Sequence, residues 1–142
     1  MPKTIIQKVV FKNIPAATLY NTYVNAKEHS ASIGAPVKIQ NKENTKFSAD
    51  GNYITGKTFQ LVKDKLIVQS WRAEDWNKSD LDSTFVLLFE QQGNDGIVNM
   101  VHANVPDKHF EDIKKGWGDF YWKPWKKYFT EKNISTTRKT KK

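Results

Sequence analysis

Cysteine is absent from the 142 residues. That excludes disulfide frameworks, thiolate nucleophiles and cysteine-ligated zinc, and it fits a reducing compartment, so the expected location is cytoplasmic. Long apolar runs are absent too: nothing approaches the roughly 18 consecutive apolar residues of a membrane span. Met1 to Lys12 shows no apolar stretch followed by a small-residue cleavage site, so no secretory leader is expected. Histidine is scarce. His29, His102 and His109 fall at no metal-binding spacing, and neither a metal nor a cofactor is expected. The nucleophile elbow, the P-loop and the dinucleotide glycine motif are all missing. Gly116-Trp117-Gly118 lacks the preceding strand and the phosphate-facing amides that such loops need.

Charge is in excess on one side, with a net of +8, yet five basic residues and one acidic residue between Thr130 and Lys142 supply half of it. That segment has no apolar periodicity and reads as a solvated, disordered tail. Nothing in it interleaves aromatic with basic residues, as single-strand binders do, so no specific nucleic-acid partner is expected. The organisation is therefore a single domain over residues 1–129 and a basic tail over 130–142.

Aromatic residues are plentiful: five Trp, five Tyr and eight Phe supply enough buriable area for a core despite a modest aliphatic content. Residues 4–12 are β-branched and predict a first strand. Asn13 and Pro15 then open a helix, with Leu19, Tyr20, Tyr23 and Val24 on one face, and a second short helix ends at Gly34 before Pro36. From Pro36 the apolar period changes to two, and turn signals recur at Asp50-Gly51, Lys63-Asp64-Lys65 and Gly93-Asn94-Asp95-Gly96. They predict a meander with strands near 36–40, 45–49, 52–62, 66–75, 83–92 and 97–105. Phe85, Leu87 and Phe89 share one face of a strand, and Val98, Met100 and His102 share one face of the next.

Asp107 reads as the cap of a long C-terminal helix. Phe110, Ile113, Trp117, Phe120, Tyr121, Trp125 and Tyr128 recur at three- and four-residue steps, opposite a face of lysines. Gly116 and Gly118 predict either a close backbone approach or a need for room beside Trp117, and Pro124 predicts a kink or break. The class is α+β: a curved antiparallel sheet, two short helices and a long aromatic helix lying across the sheet.

The run Asp50-Gly51-Asn52-Tyr53-Ile54-Thr55-Gly56, followed by Leu61-Val62, Ile67-Val68, Trp71-Arg72 and Trp76, resembles the central hairpins of the activator-of-heat-shock-protein-90-ATPase homologues. His102, Val105-Pro106, Gly116-Trp117 and Phe120-Tyr121-Trp122 are similar to that family's last strand and its glycine-tryptophan helix. The resemblance covers the chain to Phe129. It implies the helix-grip fold shared with START and birch-pollen-allergen-like proteins, in which a seven-stranded sheet grips a C-terminal helix over a cavity.

Such a cavity would be lined by Phe47, Phe59, Trp71, Phe85, Leu87, Met100, His102, Trp117, Phe120 and Tyr121, with Tyr121, His102 and Arg72 as its polar groups. Taken singly, each apolar member reads first as core and only the set suggests a pocket, and His102, with no carboxylate at a matching strand position, reads first as a hydrogen-bonded core or pocket-lining residue. No catalytic residue is expected. The expected partner is a small hydrophobic or amphipathic molecule, or a lipid. The alternative is a stress-related co-chaperone that contacts heat-shock protein 90 through the helix face bearing Lys114, Lys115, Lys123, Lys126 and Lys127. A third reading is an enzyme using His102 or Tyr121 as a general acid or base.

Overall fold

A computed structural model describes the backbone of residues 1–140 and the side chains of residues 1–132. Strand β1 (Lys3–Phe11) leads into helices α1 (Ala16–Val24) and α2 (Ala26–Ile33). A meander follows: β2 (Val37–Lys38), β3 (Thr45–Ala49), β4 (Ile54–Val62), β5 (Leu66–Ala73), β6 (Ser83–Gln92) and β7 (Asp95–Val105). The seven strands form one antiparallel sheet in the order β1-β7-β6-β5-β4-β3-β2, so the first strand returns to pair with the last. No described helix is long and apolar enough to cross a membrane.

Asn13 does not cap α1. It takes a left-handed conformation (φ 61°), its amide donates to the Asp95 carboxylate, and Pro15 occupies the cap position without a side-chain bond. The free amide of Ala16 is satisfied instead by Gln91 Oε1 at 2.7 Å, which ties the helix start to β6. Asn25 caps α2 through the Glu28 amide, and Gly34 closes that helix in the left-handed conformation.

Alternation holds along β6 and β7: Phe85, Leu87, Phe89, Val98, Met100 and His102 are all buried. In β4 the inward positions are Ile54, Gly56 and Thr58, after which a bulge between Thr58 and Gln60 resets the parity. Phe59, next to inward Thr58, faces outward by plain alternation and is 47% exposed, a correction to its expected place in the cavity. Gly56 pairs directly with Phe47, and an added Cβ there would stand 2.0 Å from the Ser70 carbonyl oxygen and 2.6 Å from the Phe47 ring. Phe47 can cross the β4 backbone only because that Cβ is missing.

The C-terminal helical stretch is four pieces. A 3-10 turn (Asp107–His109) is followed by α3 (Phe110–Gly116), a π-helical segment (Trp117–Trp122) and α4 (Lys123–Thr140). Asp107 does not cap; its carboxylate pairs with Lys3 at 3.0 Å on the surface. The break predicted at Pro124 lies just before it, in the wide turns of residues 117–122. These turns advance the apolar stripe by one position, because a π turn accommodates more residues than an α turn. Trp122 and Phe129 consequently face the core, whereas Phe120, expected inside, is 70% exposed.

Gln7 of β1 holds both ends of this segment: its amide donates to the Lys114 carbonyl at 3.1 Å, and its Oε1 accepts from Trp122 Nε1 at 2.8 Å. Crowding does not explain the flanking glycines. A Cβ on Gly118 would meet nothing within 4 Å, and one on Gly116 would only touch the Phe120 ring at 3.4 Å. Helix α4 continues beyond residue 129, where composition places the start of a disordered tail; Lys141 and Lys142 lie outside the described residues. Extension from turns anchored by Trp125 and Phe129 adds one hydrogen bond per residue fixed, which composition alone does not register.

Gly56→Ala should lower stability by about 1–3 kcal/mol in urea melts, because the strand must move off Ser70. Gly118→Ala should be neutral or stabilising by up to about 1 kcal/mol. The reverse order of the two effects would contradict this packing.

Candidate functional site

One helical stripe and the ends of two strands frame a cleft of about 240 Å³. The helical side carries His109, Asp112, Ile113, Gly116, Trp117, Phe120 and Tyr121, which follow one another at three- and four-residue steps. The sheet side carries Tyr53 and Ile54 at the start of β4, Trp71 and Ala73 on alternate positions of β5, and Asp75 and Trp76 in the connection beyond. Gly116 contributes no side chain, which leaves room between Ile113 and Trp117.

Trp76 is held at the cleft by a loop that folds around Arg72. The guanidinium donates to the Asp80 carbonyl at 2.6 Å and the Asn77 carbonyl at 2.5 Å, and reaches the Asp82 carboxylate at 3.2 Å. It also lies 5.9 Å from the Trp76 ring centre. Arg72 thus faces the loop and is not a polar group of the cleft. His109 stacks on Trp76 with ring centres 6.2 Å apart and planes 19° apart. Trp76 is buried, and its Nε1 has no hydrogen-bond partner among the described residues. At the rim Tyr53 donates to Asp75 Oδ1 at 2.9 Å. Burial first, then that bond and the nearby carboxylates, raise the Tyr53 phenol to about 12.

Behind the cleft two buried histidines tie the helical segment to the rest of the fold. Trp117 Nε1 donates to His102 Nδ1 at 3.1 Å, and since an indole only donates, the His102 proton must sit on Nε2. Nε2 then donates to Ser83 Oγ at 2.7 Å, whose own proton goes to the Trp71 carbonyl at 2.6 Å. Trp117 also stacks on Phe85 with centres 4.6 Å apart and planes 2° from parallel. His29 takes the opposite tautomer. Its Nδ1 faces the Tyr23 carbonyl at 2.8 Å and must donate, so Nε2 accepts from Tyr121 OH at 2.9 Å. A third link runs from Tyr23 OH to Gln69 Oε1 at 2.7 Å and from Gln69 Nε2 to Thr58 Oγ1 at 3.0 Å.

Of the residues predicted to line a cavity, the structure brings Trp71, Trp117, Phe120 and Tyr121 to the cleft. Phe47, Phe85, Leu87, Met100 and His102 are packed in the core behind it, and Phe59 lies on the outer face. Sequence reasoning missed Tyr53, Trp76, His109 and Asp112. The helical pair had a readable signal: stepping back from Trp117 by four, five and eight residues reaches Ile113, Asp112 and His109 on the same stripe. Trp76 had none, since its place depends on the Arg72 clamp. With both nitrogens engaged and burial lowering its pKa to about 3, His102 has no free position from which to act as an acid or base.

Burial also lowers His29 to about 4, against the opposing effect of its bond to the Tyr23 carbonyl. Both histidines are neutral when folded and take up a proton near pH 6.5 when unfolded, so the unfolded state binds more protons below that pH. Stability should therefore be full above about pH 7 and fall as pH drops from about 6.5 towards 4. At pH 5.5 the two together should remove roughly 3 kcal/mol relative to pH 8, read by urea melts. Stability unchanged between pH 8 and pH 5.5 would contradict the assigned tautomers and burial.

The family model described as Activator of Hsp90 ATPase homolog 1-like protein matches residues 10–130. An activator of 90 kDa heat shock protein ATPase homolog from Dictyostelium discoideum is 30% identical over 116 residues, 81% of this chain and 30% of that protein. Homolog 1 from Homo sapiens is 27% identical over 112 residues, 78% of this chain and 32% of that protein. The chain thus spans about a third of the length of the curated relatives it matches. Among solved structures, an HSP90 activator from Plasmodium falciparum superposes with a TM-score of 0.76 at 25% identity, over 84% of this chain and 91% of that one. Protein MLL2253 from Mesorhizobium loti, at 13% identity, shares the fold with a TM-score of 0.77 over 91% and 98% of the two chains. With the helix-grip sheet, the glycine-tryptophan helix and this match all in place, the chain belongs to the family of Activator of Hsp90 ATPase homolog 1-like proteins.

Proposed function

We propose that this domain binds a small apolar or amphipathic molecule in the cleft between β5 and the helical stripe. The observation that carries the reading is the stripe itself: from His109 to Tyr121 one helical face meets the sheet at Trp71 and Trp76 and leaves a space of about 240 Å³. Aromatic walls around a concave space with a few polar groups are the usual composition of a small-molecule site. Binding, not turnover, is the function assigned, since His102 stands behind Trp117 and outside the cleft. A titration with lipids, sterols and aromatic compounds should shift the indole resonances of Trp71, Trp76 and Trp117 and leave Trp125, which is not at the cleft, unchanged. No shift from any compound would contradict the reading.

A second reading is favoured by what the relatives are called and by a basic groove elsewhere. The Dictyostelium and human relatives and the Plasmodium structure are described as activators of the 90 kDa heat shock protein or its ATPase. In this chain Lys8, Lys12 and Lys126 border a groove of about 670 Å³ between β1 and α4, and Lys114, Lys115, Lys123 and Lys127 are exposed nearby in sequence. This basic side would contact an acidic surface of a cytoplasmic, stress-related chaperone. The chain should then stimulate the chaperone's ATPase, and Lys8→Glu with Lys126→Glu should reduce the effect several-fold. A flat titration would count against it.

A further inference from the structure

We infer that the ligand of the cleft is an organic cation, an ammonium or guanidinium group carried on an apolar or aromatic body. The inference rests on the reading of the cleft as a ligand site and adds the sign of the ligand's charge. The chain carries a net charge of +8, yet the cleft reverses it: among the described residues its lining contains Asp75 and Asp112 and no lysine or arginine. The two carboxylates come from different elements, Asp75 from the connection after β5 and Asp112 from α3. Both are exposed. Asp112 makes no side-chain hydrogen bond or ion pair among the described residues, so its charge is not spent on a partner already present. Asp75 is oriented by the Tyr53 hydroxyl at 2.9 Å, which leaves its second oxygen able to accept another donor.

The same lining includes the rings of Tyr53, Trp71, Trp76, Trp117 and Phe120. The faces of aromatic rings carry negative potential, and a cation within about 6 Å of a ring centre is attracted to it. The fold already uses Trp76 in this way, since the Arg72 guanidinium lies 5.9 Å from its ring centre on the loop side. Arg72 is compensated there by Asp82 at 3.2 Å and by two carbonyls, so it does not neutralise the cleft. The negative potential at the rim is also registered by Tyr53, on which Asp75, Asp50 and Asp112 all act to hold the phenol proton. A fatty acid or other apolar anion would meet two carboxylates and no positive side chain, which selects against that class.

The test compares three probes with similar bodies: benzyltrimethylammonium, its neutral carbon isostere neopentylbenzene, and the anion 3-phenylpropionate. Each is titrated into the intact chain while the indole resonances of Trp71, Trp76 and Trp117 are followed. The cation should bind at least tenfold more tightly than the neutral isostere, and the anion most weakly. Asp112→Asn should weaken the cation by roughly fivefold, as expected for one charge at contact distance in a water-like medium, and leave the neutral probe unchanged. Added salt should weaken only the cation. Equal or tighter binding of the neutral isostere would overturn the charge assignment while leaving an apolar-ligand site standing. Silence from all three probes would also overturn it, and the lipid and sterol titration would then decide separately whether the cleft binds anything.

Discussion

The buried bond from the Trp117 indole to His102 Nδ1 joins the helical layer to the sheet. An indole nitrogen only donates, so this one contact fixes the histidine tautomer, and the tautomer fixes the direction of the next two bonds through Ser83 to the Trp71 carbonyl. Four residues from the helix, β7, β6 and β5 are thereby committed to one arrangement. In a low-dielectric interior each of these bonds is worth more than in water, and each unmade one costs more. The ring of the same tryptophan stacks on Phe85 beneath it and forms a wall of the cleft, so packing, polar satisfaction and the candidate site share one side chain.

Which residues face that wall is decided by the π-helical turns that follow it. Without them, the step from Trp117 would carry Phe120 inward and leave Trp122 outside. With them, Tyr121, Trp122 and Trp125 all reach the core, Tyr121 meets His29, and Phe120 is displaced to the edge of the cleft. Gln7 satisfies a carbonyl at one end of the segment and an indole at the other. A strand residue far away in sequence therefore supports the helix register on which the cleft depends.

These long-range effects mark the boundary of what could be read from the sequence. Local chemistry was legible: turn residues set the hairpins, β3 and β6 have the predicted limits, and period-two alternation placed Phe85, Leu87, Met100 and His102 correctly on the inner face. Gly34 ends α2 as expected of a glycine at that position. The two misplacements have different causes. Phe59 falls outward by plain alternation from Ile54, Gly56 and Thr58, and only the residues after it feel the β4 bulge, whereas Phe120 lies within the π turns, which shift the helical periodicity by one residue. Trp76 and Tyr53 were invisible as site residues because a loop clamp and a strand end, not a period, bring them to the cleft. The aromatic helix was evident from spacing, but the part of it that lines a space instead of filling a core required the glycine at 116 to be seen in three dimensions.

The cleft is consequently a rigid feature on one side and a charged rim on the other. Its inner wall is held by hydrogen bonds that water does not reach, and its outer edge carries Tyr53, Asp75, Asp112 and Phe120, all exposed. A ligand would meet a preformed aromatic surface, which limits the ordering cost of binding. The most direct measurement of this account is hydrogen exchange at the Trp117 indole, resolved by nitrogen-15 labelling. The account predicts protection comparable to that of the core amides of β6 and β7, lost only on global unfolding. Exchange at the rate of an exposed indole would contradict it, because Trp117 would then be neither bonded to His102 nor fixed as the wall of the cleft.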